Sequence, residues 1–202
     1  MMRLPAVAAA HPQQLSVILG KATRLLDDAR LLVDRRRYAS AFALAVLGME
    51  EIGKVLLTSW EAEQPLAKAK KRYSQHILKQ AAVANLLAGA LLARTFPHGV
   101  DWKMLDTNAL TEAFNDSDEG RLLVLIREGH LDRRKQESLY QDDLITAVED
   151  EFAELHVGGI FDIARHAQEA LASPFNRAAA RAFYEATVLG ISVIDRINSQ
   201  TL

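Results

Sequence analysis

The 202-residue chain contains no cysteine, which removes disulfide frameworks, thiolate metal sites and cysteine nucleophiles together. Only 5 prolines and 10 glycines punctuate it, so little in the sequence would interrupt long helices. Charge of one sign is lacking as well: 24 Lys and Arg stand against 26 Asp and Glu, a net charge of −2, and the molecule as a whole exerts no pull on nucleic acid or anionic membrane. Any such binding has to use local patches. The charge-free run from Gln80 to Ala93 falls short of the ~20 apolar residues of a membrane span and reads as a core helix. Walker loops, Gly-rich dinucleotide turns, nucleophile-elbow serines and Glu-x-x-His pairs are all missing. NTPase, dehydrogenase, serine hydrolase and carboxylate-bridged metal chemistry therefore have no support, and no metal or cofactor is expected.

What is abundant is helix former. Ala and Leu together supply 61 residues, the composition of an all-α protein. From Pro12 to about Arg37 the apolar residues Leu15, Ile18, Ala22, Leu25, Leu26, Ala29, Leu32 and Val33 recur at the spacing of three and four that marks one buried helical stripe. A second helix is predicted from about Tyr38 to Glu63, and a third from an N-cap at Ser74 to just before Phe96-Pro97. Residues 96–142 are less regular. A short helix after Thr107 and another from Ser117 to Glu128 are expected there, then a polar loop through Gln141. Helical patterning resumes from Asp143 to Ala172, interrupted at Gly158-Gly159, and a last helix follows the Ser173-Pro174 start signal and runs to about Asn198. Residues 1–11, a short apolar run broken by Pro5, are expected to be a flexible N-terminus, and 12–202 a single up-and-down helical bundle.

The second helix is unusual because both of its sides are apolar: Ala41, Leu44, Ala45, Gly48, Ile52 and Val55 on one, Phe42, Val46, Met49, Gly53, Leu56 and Leu57 on the other. Such a helix is central. Its one polar arc carries Glu50, Glu51 and Lys54, either a surface ion-pair strip or the lining of a functional groove. Gly48 and Gly53 are expected to serve close packing, since Gly in a helix interior costs about 1 kcal/mol without a compensating contact. Half of the Lys and Arg cluster at 35–37, 68–72 and 121–135, where they either solvate helix ends or grip phosphates.

The string from Ala41 to Lys54, an alanine-rich helix ending Glu50-Glu51-Ile52-Gly53-Lys54, resembles the signature of the AbiV family, abortive-infection proteins of the HEPN group. His76 followed by Lys79 is similar to that family's His-x-x-Lys, and Arg133 to Asp142 is similar to its basic stretch ending in Leu-Tyr-Val-Asp. Together the motifs cover roughly residues 15–170. The resemblance implies a dimeric HEPN-like bundle in the cytoplasm, acting on RNA or the translation machinery in phage defence. It also implies kinship with metal-independent ribonucleases that use Arg-x(4–6)-His, a motif that no Arg and His of this chain satisfy.

On this reading His76, Lys54 and Glu51 form the catalytic set, with His76 as general acid or base. Lys71, Arg72, Lys79, Arg133, Arg134 and Tyr140 contact RNA, Tyr140 by stacking on a base. The expected partners are a second copy of the chain, RNA and a phage protein that acts as trigger; no membrane is expected. The alternative is a non-catalytic helical module that binds a protein partner, or a toxin–antitoxin-like component. Convergence of Glu51, Lys54, His76 and the 133–140 segment in one cleft favours the enzyme; their dispersal favours the module.

Overall fold

The computed structural model describes residues 12–63, 74–95, 116–140 and 147–189, and they form seven helices: α1 (Pro12–Asp34), α2 (Tyr38–Glu63), α3 (Gln75–Thr95), α4 (Asp118–Arg127), α5 (His130–Tyr140), α6 (Ala147–Leu171) and α7 (Pro174–Leu189). No strand occurs among the described residues. The expected helix after Thr107, the N-terminal segment 1–11, and Lys71 and Arg72 lie outside them.

Helix boundaries follow the local chemistry. The hydroxyl of Ser74 accepts from the Ile77 amide, that of Ser117 from Gly120 and that of Ser173 from Asn176, so three helices open on a side-chain cap. Pro174 takes the first position of α7, where a missing N–H costs nothing. At the end of α1 the amides of Arg36 and Arg37 return to the carbonyls of Val33 and Leu32, with Arg36 at φ 56° in the left-handed position usually given to glycine. The tight turn between α4 and α5 does use a glycine there: Gly129 has φ 73°.

Two helices form the centre. α2 packs against α1, α3, α5 and α6, while α3 packs against α2, α4, α6 and α7. Both are buried on most sides because both are apolar on most sides: Phe42, Val46, Met49, Ile52 and Leu56 of α2 meet Leu78, Val83, Leu86 and Leu87 of α3 in one contiguous core. Trp60 reaches Tyr184 of α7 with ring centroids 5.1 Å apart, an aromatic contact that joins the far end of α2 to the last helix. α3 is long and apolar enough to cross a membrane, yet 72% of its apolar window is buried inside the bundle. It is the core helix that its charge-free run predicts.

The glycines expected to serve packing do so. A Cβ on Gly48 would stand 2.9 Å from Leu26 Cγ on α1, and a Cβ on Gly53 would run into the backbone of Lys79 on α3. α2 can therefore touch a neighbour on each side at backbone distance.

Two expectations are corrected. The polar stretch 130–140 is helix α5, not loop; Leu131 packs on the core and Lys135, one turn later, is 1% exposed, so the inward stripe exists but its second member is a lysine. Gly158 and Gly159 do not interrupt α6, which is continuous from Ala147 to Leu171. Nothing lies within 4 Å of where their Cβ atoms would be; they are exposed glycines in a helix held by its apolar face.

Candidate functional site

Glu50 and Glu51 are neighbours in sequence but leave α2 about 100° apart, and they enter different surroundings. Glu50 turns into the junction of α2, α3 and α5 and is 2% exposed. Its Oε1 accepts from Lys135 Nζ at 2.7 Å and from Gln80 Nε2 at 2.8 Å, and its Oε2 lies 2.6 Å from His76 Nδ1. A carboxylate in so apolar a place is tolerable only because an ammonium and two further donors surround it.

The short Glu50–His76 contact fixes the histidine tautomer. A carboxylate oxygen only accepts, so Nδ1 carries the hydrogen and donates it, which leaves Nε2 for other chemistry. The His76 side chain is 41% exposed. One ring nitrogen is thus anchored on a buried anion while the imidazole keeps an open edge. Lys135 completes the node, with Nζ 3.1 Å from His76 Nδ1 and 2.7 Å from Asp132 Oδ1; the latter is an ion contact without the alignment of a directed hydrogen bond.

Glu51 joins a second, shallower cluster. Lys21 Nζ of α1 is 3.0 Å from its Oε1 and Lys54 Nζ is 3.5 Å from its Oε2. Burial, the largest single influence, disfavours its charge, yet the hydrogen bond from Lys21 and the fields of Lys54, Lys21 and Lys79 outweigh it and hold the carboxyl below its ordinary value of 4.5. The sign sets the consequence: stability contributed by ionised Glu51 is complete above about pH 4.5 and is lost as the pH falls through the lower folded value. Lys21→Ala is expected to flatten the acid limb of the stability curve, read by urea unfolding between about pH 3 and pH 6. Parallel curves for the variant and the parent would mean that Lys21 leaves Glu51 untouched.

His76, Lys54, Glu51 and Lys79 of the sequence-predicted set therefore gather around the facing α2 and α3 surfaces. Lys54 and Lys21 are half-exposed cations paired with Glu51, and Lys79 is one turn from His76 on α3. Arg133 and Arg134 are exposed on the outer side of α5, Arg134 pairing with Glu137 at 3.0 Å. From their segment it is Lys135 that enters the node. Tyr140 ends α5, and its side chain lies outside the described residues.

Sequence reasoning placed Glu50 in the strip without a role and counted Lys135 only as one charge in a basic run; Gln80 and Asp132 were not singled out. The i, i+4 pairing that Glu50 and Lys54 suggest does not form: Lys54 goes to Glu51. A search for Glu-x-x-His finds nothing because the carboxylates and the imidazole come from three helices. A separate cavity of about 330 Å³ between α3, α6 and α7, lined by Leu87, Arg94, His166 and Asn176 among others, lies some ten residues further along α3, about 15 Å from the node.

The described residues form an all-helical bundle that buries a Glu–Lys–Gln node under a half-open histidine. The AbiV model of the HEPN group matches residues 13–144, a span that includes every member of the node, and the chain belongs to this abortive-infection family. No curated protein and no solved structure matches it.

Proposed function

We propose that this abortive-infection protein is a metal-independent endoribonuclease whose general base is His76. The observation that carries the reading is the 2.6 Å contact between Nδ1 of His76, 41% exposed, and Oε2 of Glu50, 2% exposed. A buried carboxylate that fixes the tautomer and orientation of a solvent-facing imidazole is the arrangement acid–base catalysis needs. Nε2 would take the proton of a ribose 2′-hydroxyl. The 2′ oxygen then bonds to phosphorus, the bond to the 5′ oxygen breaks, and that oxygen takes a proton from solvent, leaving a 2′,3′-cyclic phosphate.

The missing Arg of the Arg-x(4–6)-His motif has to be replaced in space, a role we assign to Lys79, one turn from His76 on α3, and to Lys54, which pairs with Glu51. Lys135 is too deeply buried to touch substrate. Glu51 holds Lys54 in place, a positioning role for a residue that the sequence assigns to catalysis. The reading also calls for a homodimer and a phage-encoded trigger. Val124 and Leu125 of α4, each about half exposed, are large apolar side chains left open on that helix, where a partner could cover them.

The test is incubation of the purified chain with total RNA in EDTA, with light scattering on the same sample. Cleavage that leaves cyclic phosphate ends, spares DNA and falls about 100-fold or more in His76→Ala is expected, from a dimer. Cleavage that needs added metal, or full activity in His76→Ala, would exclude the mechanism. A folded, triggered protein that cuts no RNA would point instead to a partner-binding module.

A further inference from the structure

Glu50, His76 and Asp132 each offer an oxygen or nitrogen atom within 4.8 Å of the others. Two carboxylates and an imidazole at such spacing are the donor set of a three-ligand divalent metal site with an open position. The middle of the triangle is filled by the protein itself. Lys135 Nζ stands 2.7 Å from Glu50 Oε1, 2.7 Å from Asp132 Oδ1 and 3.1 Å from His76 Nδ1. The Asp132 contact lacks hydrogen-bond alignment, so the ammonium is held there by charge, as an ion would be. A further neutral donor stands beside it: Gln80, 0% exposed, gives its amide N–H to Glu50 while its Oε1 has no hydrogen-bond partner.

We propose that Lys135 is a built-in substitute for a metal ion: its side chain occupies a Glu–His–Asp cation site, and without it these residues bind a divalent transition metal of the zinc class. Charge supports the exchange. The two carboxylates sum to −2, which one ammonium leaves half compensated and a divalent ion neutralises. Geometry supports it too. The ligand atoms would close from ammonium distances near 2.7 Å to about 2.0–2.2 Å, a contraction available to Asp132 and His76, which have solvent on one side with side chains 22% and 41% exposed. That same side gives the ion its way in. In metal binding, the His76 hydrogen moves from Nδ1 to Nε2 by exchange with solvent, Nδ1 becomes a ligand, and the freed Glu50 oxygen can turn to the metal as well.

The occupant has a consequence for the reaction, in a clause that rests on the proposed nuclease reading: Lys135 pairs with Glu50 at 2.7 Å and so fixes the carboxylate that orients His76, a positioning residue that makes a metal unnecessary. The inference about the cation site itself is independent of that reading, since its test measures binding and not cleavage.

Full-length wild type and Lys135→Ala are titrated with Co²⁺, whose d–d absorption reports coordination, and with Zn²⁺ in competition. Wild type is expected to show no specific binding, while Lys135→Ala takes up one Co²⁺ per chain, displaced by Zn²⁺. Adding His76→Ala to that variant should weaken uptake roughly 10–100-fold. Should Lys135→Ala be unfolded alone, Zn²⁺ is expected to refold it, read by circular dichroism. Specific Co²⁺ uptake by wild type that His76→Ala abolishes would overturn the proposal, because Lys135 would then not exclude metal. A Lys135→Ala chain that folds and binds nothing, or that Zn²⁺ does not refold, would equally overturn it. If cleavage fails to appear but the metal titration behaves as stated, the nuclease reading falls and the cation site stands.

Discussion

Glu50→Ala should destabilise the protein by about 3–5 kcal/mol, the range for removing one partner of a buried ion pair, out of a total stability of about 5–15 kcal/mol typical of a domain. The cost comes from what is left behind. Lys135, at 1% exposure, would keep only Asp132 as an anionic partner; Gln80 would lose the acceptor for its N–H, and His76 its anchor. A solvent-exposed pair would cost a fraction of that. Replacing both charges, Glu50→Leu with Lys135→Met, should recover most of the loss, because apolar residues of similar volume can substitute for a buried ion pair with little penalty. Denaturant unfolding of the two single variants and the double gives the coupling directly. A loss below about 1 kcal/mol in Glu50→Ala would show that the node does not help hold the fold.

Gly53→Ala is expected to cost several kcal/mol although it adds one methyl group and a better helix former. Helix propensity alone would favour alanine by about 1 kcal/mol. Against this, the new Cβ would collide with the Lys79 carbonyl and stand 2.7 Å from its carbon and 3.1 Å from its Cα. These atoms are hydrogen-bonded helix backbone in the second turn of α3 and cannot swing away as a side chain would, so α3 has to move off α2. The contact to Gly48 differs in kind. There the nearest atoms belong to the Leu26 side chain, which can change rotamer, so Gly48→Ala should be the milder change. Thermal melts of the two variants check the ranking, and a Gly53→Ala protein as stable as the parent would mean that the α2–α3 approach is looser than it stands here. Displacing α3 would also carry His76 away from Glu50, so the proposed cleavage should fall together with stability.

The two central helices and their caps were legible because apolar residues and punctuation agree: Tyr38–Glu63 is found where it was predicted, and Ser74 caps α3. The family was legible from motifs in α2 and α3. His76 was singled out by the family-like His-x-x-Lys spacing to Lys79, and it lies 2.6 Å from Glu50; Gly48 and Gly53 were legible from their improbability in a helix. α5 was not, since a reading by hydrophobicity sees Leu131 and Leu139 eight residues apart and treats the position between them, Lys135, as surface. Nor was the separation of Glu50 from Glu51. On an isolated wheel both lie on one polar arc, and only the docking of α5 covers the edge that carries Glu50. What hid the node is therefore a charge on each of two helices, buried by the other.

The Glu50–Lys135 bond closes a loop of 85 residues, and this bears on the order in which the chain assembles. α2 and α3 can pair early through their apolar faces, whereas α5 offers Leu131 and a lysine that stays hydrated until its anion is already in place. The pair is thus expected to form late, after the folding barrier is crossed. Lys135→Met should leave the refolding rate almost unchanged and place its whole effect on the rate of unfolding, so that the lifetime of the native state, more than its formation, is what this buried charge controls.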